Sequence, residues 1–371
     1  MESNYLIYLA ESAALTVILG FFAIPLLKKL KARQSIREEG PKSHRVKNGT
    51  PTMGGLFMLL AAVLVVIFNK MIDPSVLWLL FLTLGHGVLG FLDDYIKAEK
   101  KRNLGLTAKQ KMLGQIILAV LFCWGVVDTL HLPYSIAIPF TNMDISIGLL
   151  YYPFVVLVIV GASNAVNLTD GLDGLASGCC VIAFSAYALY CYMTGFNDLG
   201  YFIIILAGAC IGFLFFNYHP AKIFMGDTGS MFLGYIIAAV SVMGSMKTAA
   251  AAVLVVPLVA LAVPITDTFL AIIRRKSSGV PIFSPDKNHL HHRLLAKGLT
   301  QKQVVLIMYA LTAFFSCVAL LVIHLRTLMG IAIVVIALIL FILWARKLGV
   351  MKEIVPSPYQ MEHKKDKKEE K

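Results

Sequence analysis

The chain has 371 residues, of which 58% are hydrophobic and 15% charged, against about 45–50% and about 25% in an ordinary soluble domain. This balance excludes a soluble globular protein. The net charge of +12 would suit a nucleic-acid-binding protein, but the distribution of that charge assigns it to membrane topology, so we expect no nucleic-acid partner.

Apolar runs long enough to enter a bilayer follow one another along nearly the whole chain. They cover residues 5–27, 53–68, 75–92, 113–130, 148–166, 175–195, 199–216, 230–245, 249–273, 303–323 and 328–345. The sequence therefore predicts an all-α polytopic membrane protein of about 10–11 transmembrane helices. Residues 1–347 would form one membrane-embedded domain, and residues 348–371 a charged, disordered cytosolic tail.

Lysines and arginines are distributed very unevenly between the two sides of these runs. Of the 33, only Lys70, Lys247 and Arg326 fall on one side. The positive-inside rule makes the other side cytosolic. Several aspartates fall in the same cytosolic loops. Acidic groups gathered at one face beside many bases favour a site for a phosphorylated, metal-bound substrate. They do not favour a transporter, whose charges should lie near the midplane.

The first polar motif leads into the second apolar run, at residues 47–55. Lys47 and Thr52 stand here beside Gly49, Gly54 and Gly55. The ending of a P-loop is absent. A lysine, hydroxyl groups and a glycine-rich helix start still make a seat for an anion.

The second motif carries adjacent carboxylates where the third run reaches the cytosol. Asp93 and Asp94 are hard oxygen ligands of the kind that suits Mg²⁺. If the helix continues, Lys97 lies three and four residues onward and shares their face. The alternative is a solvated helix end with an ordinary ion pair.

The third motif is a glycine-punctuated break between two apolar runs. Asn167, Asp170 and Asp173 recur every third residue, so in a helical turn they would point one way and grip a polar ligand. Gly171 and Gly174 allow close backbone approach or a positive φ.

The fourth motif precedes the eighth run. Asp227, between Gly226 and Gly229, stands at a helix start, where it is either a helix cap or a ligand for a metal ion carrying phosphates. Phe224 offers an aromatic face to a base.

The fifth motif is a histidine-rich stretch in the loop 274–302, containing His289, His291, His292 and Arg293. No accompanying cysteine or carboxylate set has zinc-ligand spacing. As a helix it would place leucines along an interfacial stripe and most of the polar side chains on a flank. Asp267, inside the ninth run, is either near the site or a structural partner of Arg274 or Arg275.

With these motifs in order, residues 5–325 resemble the polyprenyl-phosphate N-acetylhexosamine-1-phosphate transferases. The resemblance implies a bacterial cytoplasmic membrane enzyme that transfers a sugar 1-phosphate from a UDP-sugar to polyprenyl phosphate and releases UMP. It implies a site facing the cytosol and Mg²⁺ as cofactor, with Mn²⁺ as a substitute. The resemblance is also compatible with a homodimer.

The resemblance also implies roles for individual residues. Asp93, Asp94 and Asp227 match the catalytic aspartates, with Asp227 and Asp94 as metal ligands. The substrate contacts would come from Lys47, Thr52, Lys97, Asn167, Asp170, Gly171, Asp173, Phe224, His289, His291, His292 and Arg293.

Different stretches of the chain resemble two different branches of that family. The stretches 36–55 and 93–106 resemble the phospho-N-acetylmuramoyl-pentapeptide transferases. The stretches 264–275 and 281–293 resemble the N-acetylglucosamine-1-phosphate transferases, and Leu290 interrupts the histidine triplet of the pentapeptide enzymes. Because this loop is expected to touch the sugar, the sequence favours UDP-N-acetylglucosamine as donor, with the pentapeptide donor as the alternative.

Overall fold

The computed structural model describes residues 2–30, 50–100, 105–131, 134–137, 144–247, 259, 262–277, 289–322, 325 and 327–349. These ranges contain twelve helices: α1 (Glu2–Lys29), α2 (Gly55–Phe68), α3 (Pro74–Glu99), α4 (Ala108–Leu130), α5 (Tyr151–Thr169), α6 (Leu175–Thr194), α7 (Asn197–Asn217), α8 (Gly226–Lys247), α9 (Ala262–Ser277), α10 (Leu290–Ala296), α11 (Gln301–Val322) and α12 (Thr327–Lys347). A short antiparallel hairpin joins β1 (Ser135–Ala137) to β2 (Asp144–Ser146), before a 3₁₀ turn at Gly148–Leu150.

Nine of the helices in the described ranges are long and apolar enough to cross a membrane: α1, α3 to α8, α11 and α12. The predicted run at 53–68 becomes the shorter helix α2, with 14 residues. The run at 249–273 is described only in part, as α9. The expected all-α polytopic membrane protein is therefore confirmed, with the β1–β2 hairpin as a small addition. Lys47 and the tail beyond Gly349 lie outside the described residues.

Helix α3 continues well past the end of its apolar run at residue 92 and reaches Glu99. Asp93, Asp94 and Lys97 therefore lie on one uninterrupted helix. The next helix, α4, begins with a capping box, in which the Thr107 hydroxyl accepts from the Gln110 amide at 3.2 Å and the Gln110 side chain accepts from the Thr107 amide at 2.9 Å. This cap fixes where the first turn of α4 starts and thus where its lysines point.

Helix α8 lies at the centre of the bundle, between α3 and α5. Of its residues Gly226–Met243, 89% are buried inside the protein. Glycines let its first turn approach its neighbours closely. A Cβ on Gly90 of α3 would collide with the Asp227 carbonyl, and one on Gly55 of α2 would collide with the Gly229 backbone. The start of α8 is consequently held between α2 and α3.

The carboxyl end of α2 contacts the first half of α1. Here the Asn69 side chain donates to Glu11 of α1 at 2.8 Å and to the Val65 carbonyl at 3.0 Å. Glu11 is exposed on the surface of the protein. This side-chain pair gives the α1 carboxylate a partner within the membrane-spanning region.

We predict that Gly90→Ala lowers the thermal stability of the purified protein, because the added methyl group has no space against the Asp227 carbonyl. Overpacking of this kind costs about 1–3 kcal/mol. Gly161→Ala in α5 is the matched control, since a Cβ there meets nothing within 4 Å. Thermal unfolding in detergent would measure both, and equal midpoints for the two variants would contradict the close packing of α3 on α8.

Candidate active site

Three carboxylates converge where the carboxyl end of α3 meets the start of α8. Asp93, Asp94 and Asp227 each offer an oxygen within 4.8 Å of the others. Asp93 and Asp94 are almost fully buried, with exposed fractions of 1% and 4%. Oxygen ligands so arranged suit a hard divalent cation such as Mg²⁺.

Asp94 caps the amino end of α8. Its Oδ1 accepts from the Asp227 amide at 3.1 Å, and its Oδ2 accepts from the Thr228 amide at 2.9 Å and from the Thr228 hydroxyl at 2.7 Å. The exposed amides of a first helical turn carry partial positive charge, so a carboxylate is a favourable partner there. Gly226 has a φ of 74°, and a Cβ on it would collide with the Asp94 carboxylate. Both oxygens of Asp94 are thus engaged in holding α8.

Asp93 and Asp227 share two lysines. Lys97 lies 2.5 Å from Asp93 and 2.9 Å from Asp227, so it occupies the shared helix face that the spacing predicts. Lys111 of α4 lies 3.4 Å from Asp93 and 2.5 Å from Asp227. The Leu106 amide donates to the other oxygen of Asp93 at 2.8 Å. Two ammonium groups therefore offset part of the negative charge of this cluster.

Asn167 contacts the carboxylate cluster. From the end of α5 its amide nitrogen donates to Asp227 Oδ1 at 2.9 Å and to the Ser230 hydroxyl at 2.7 Å. Asp227 is thereby held on one side by an amide and on the other by lysines.

The expectation that Asn167, Asp170 and Asp173 share one helical face is wrong. Helix α5 ends at Thr169, and Asp170 follows it with a ψ of 50°. Asp173 accepts instead from His219 Nδ1 at 2.8 Å and from the Ala221 amide at 3.3 Å. The chain then turns into α6 at Gly174, which adopts a φ of 77°.

The residues on either side of Thr52 form backbone hydrogen bonds with Phe224. The Phe224 amide donates to the Pro51 carbonyl at 2.9 Å, and the Gly54 amide donates to the Phe224 carbonyl at 2.9 Å. Thr52 is buried, and its hydroxyl would lie 2.9 Å from a Cβ on Gly226. The start of α2 therefore borders the carboxylates, with Phe224 half-buried beside them.

The histidine motif forms the short helix α10, preceded by His289 as its cap residue. His289, His291 and Arg293 are buried together with Leu290 and Leu294. Most of the polar side chains of the expected flank are thus covered by the protein rather than exposed to solvent, while His292 stays partly exposed. A Cβ on Gly171 would lie 2.5 Å from His291 Nε2, which brings α10 against the loop after α5.

Several residues of the site, among them Lys111, Ser230 and Thr228, were missed by sequence reasoning. Lys111 is one of several lysines around the start of α4, and nothing in its spacing distinguishes it from the exposed Lys109. Ser230 follows Asp227 by three residues on α8, so a search of the Asp227 helix face would have found it.

The chain matches known family models in two places. Residues 76–245 match the model for glycosyl transferase family 4, and residues 47–59 match a signature of phospho-N-acetylmuramoyl-pentapeptide-transferase. The first region contains the three converging carboxylates, and the second contains the start of α2.

Curated relatives named phospho-N-acetylmuramoyl-pentapeptide-transferase are similar over most of the chain. The protein of Halalkalibacterium halodurans is 43% identical over 86% of this chain and 97% of its own length. That of Bacillus subtilis is 42% identical over 84% and 95%, and that of Staphylococcus carnosus is 46% identical over 78% and 90%. The chain therefore belongs to glycosyl transferase family 4, as a multi-pass membrane phosphosugar transferase.

Proposed function

We propose that this protein transfers phospho-N-acetylmuramoyl-pentapeptide from its UDP donor to polyprenyl phosphate, at the cytosolic face of a bacterial membrane. The products are a lipid-linked diphosphate sugar and UMP. The observation that carries this proposal is the convergence of Asp93, Asp94 and Asp227 with Lys97 and Lys111 at the inner ends of the helices. Carboxylates beside ammonium groups suit a cation and a diphosphate together.

The donor in this proposal replaces the one that the histidine motif favoured. That preference for N-acetylglucosamine depended mainly on one loop, whereas the similarity to the pentapeptide transferases extends over 86% of the chain in one relative. The signature at residues 47–59 supports the same donor. We give the longer similarity more weight.

The residues at the cluster fit a divalent cation, with Asp227 and Asp93 as its ligands. Asp94 was expected to be a ligand, but both of its oxygens accept from groups fixed at the start of α8. The Oδ2 atoms of Asp93 and Asp227 pair instead with the flexible side chains of Lys97 and Lys111, which can turn away. We therefore assign Asp94 to positioning Asp227. When bound, Mg²⁺ supplies charge neutralisation and a template for the diphosphate.

The reaction needs positioning more than a strong base. The lipid phosphate has a second pKa of about 6, so it is largely a dianion at neutral pH. One of its oxygens bonds to the phosphorus that carries the sugar, while the bond from that phosphorus to the bridging oxygen breaks and UMP leaves. Lys97 and Lys111 hold the diphosphate oxygens in line and offset the repulsion between the two anions.

Lysine and arginine distribution supports the cytosolic orientation of this site. The carboxyl ends of α3, α5 and α7 and the amino ends of α4, α6 and α8 lie on the side that carries most of the basic residues. A UDP-sugar made in the cytosol would reach the cluster directly from that side.

A donor panel tests the function. We expect UMP release from UDP-N-acetylmuramoyl-pentapeptide, dependent on Mg²⁺ and polyprenyl phosphate, and little release from UDP-N-acetylglucosamine. Asp227→Asn should lower turnover by about two to three orders of magnitude, whereas Asp128→Asn, an exposed carboxylate in α4, should not. A preference for the N-acetylglucosamine donor would reject the proposed substrate while leaving the transferase assignment intact.

Asp93→Asn and Asp94→Asn should fail in different ways. The Asp93 variant should lose most of its turnover and keep its unfolding temperature, because α8 stays capped. The Asp94 variant should also unfold at a lower temperature, because its amide offers one acceptor oxygen where the carboxylate uses two and turns an NH₂ toward a buried donor. An unpaired buried donor costs about 1–3 kcal/mol. Thermal unfolding and UMP release would measure both variants. The role assignment is contradicted if the Asp93 variant is the less stable.

Lys111→Gln should raise KM for the UDP donor about tenfold, because a charge-assisted contact contributes about 1.5–3 kcal/mol. Lys109→Gln, two residues earlier on the exposed side of α4, is the matched control and should leave KM unchanged. Steady-state kinetics at saturating lipid phosphate would compare them. Equal KM values in the two variants would remove Lys111 from the donor site.

A further inference from the structure

Asp267 of α9 contacts two successive residues at the start of α10. Its Oδ2 lies 2.9 Å from His289 Nδ1, and its Oδ1 accepts from the Leu290 amide at 2.9 Å. Asp267 and His289 are buried, with exposed fractions of 8% and 4%. One carboxylate thus holds both the cap residue and the first residue of the histidine helix.

This contact has an energetic reason. Helix α10 has seven residues, far below the roughly 12–15 at which an isolated helix becomes even marginally stable. Its first amides have no partners within the helix, and a carboxylate favours the positive end of the helix. The position of α10 therefore depends on Asp267, which belongs to a different helix, α9.

The same contact sets the tautomer of His289. An ionised carboxylate only accepts hydrogen bonds, so Nδ1 must carry the proton. In its neutral form the ring then offers Nε2 as an acceptor. An acceptor suits a hydroxyl or amide N–H of a sugar or peptide, and it does not suit a phosphate oxygen, which is itself an acceptor.

The effect of Asp267 extends to the loop after α5. His291 lies on α10 with its ring parallel to that of His289, at an interplanar angle of 2° and a centroid distance of 5.9 Å. It also lies against Gly171, where no Cβ fits. Gly171 is four residues beyond Asn167, which holds Asp227.

We propose that Asp267 is a positioning residue for recognition of the donor substrate. It seats α10 against the loop at Gly171 and keeps His289 Nε2 available to a hydroxyl or amide N–H of the sugar-peptide part. This inference deepens the proposed function, on which it rests.

Purified full-length protein tests the proposal by steady-state kinetics with UDP-N-acetylmuramoyl-pentapeptide. Asp267→Asn can still accept from Leu290 but presents an N–H₂ that favours the opposite His289 tautomer. We expect its KM to rise about tenfold, with kcat changed by less than about twofold. Asp267→Glu should recover most of the loss. Asp73→Asn is the matched control, because Asp73 also caps a helix amide, that of Ser75, at the outer face.

A second measurement covers variants that fold poorly. In protein labelled with ¹⁵N-histidine, the His289 Nδ1 signal should be that of a protonated nitrogen in the wild type and should change in Asp267→Asn. The proposal is overturned if Nδ1 is unprotonated in the wild type. It is also overturned if the KM of Asp267→Asn equals that of Asp73→Asn, or if Asp267→Glu is no better than Asp267→Asn.

The two proposals fail separately. If the wild type uses no UDP-sugar, the proposed function fails, and the nitrogen signal still tests the Asp267 contact. If the wild type is active and Asp267→Asn behaves like the control, the positioning role alone fails.

Discussion

The geometry of the site depends on which groups accept hydrogen bonds from the first amides of α8. At the boundary of a bilayer a helix start buried among other helices has little water to bond its first amides. Asp94 supplies both of its oxygens to this end, and Gly90 and Gly55 let α3 and α2 close around it. Asp227 is the second residue of that helix, so the same contact that caps the start of α8 also sets the position of the Asp227 carboxylate, which we propose as a metal ligand.

Charge balance is the second constraint. Three carboxylates within 4.8 Å would repel one another strongly without counter-charges. Lys97 and Lys111 each contact both Asp93 and Asp227. Ammonium groups rotate on flexible stems, so the same lysines can turn from carboxylates to phosphates. A site organised in this way would need no rebuilding to receive the two anionic substrates that we propose.

Much of this arrangement follows from the sequence, because its causes are local. Apolar runs predict the helices, and Asp93, Asp94 and Lys97 share a face by helical spacing alone. The pairing of Lys111 with Asp227 could not be predicted, because it depends on how α4 is rotated against α3. The spacing of Asn167, Asp170 and Asp173 was misleading, since it assumed a helix that ends at Thr169. The donor preference weighed one loop above the rest of the chain, whose similarity supports the alternative donor.

The short helix α2 has a consequence for the surrounding lipid. Its 14 residues span about 21 Å, against about 30 Å for a hydrocarbon core. Asn69, Lys70 and Asp73 follow directly, and Asn69 contacts Glu11 of α1. A short stretch of this kind is accommodated by local thinning of the bilayer or by flanking side chains such as Lys70 extending toward the headgroups, so the lipid beside α1 and α2 has to adapt to the protein.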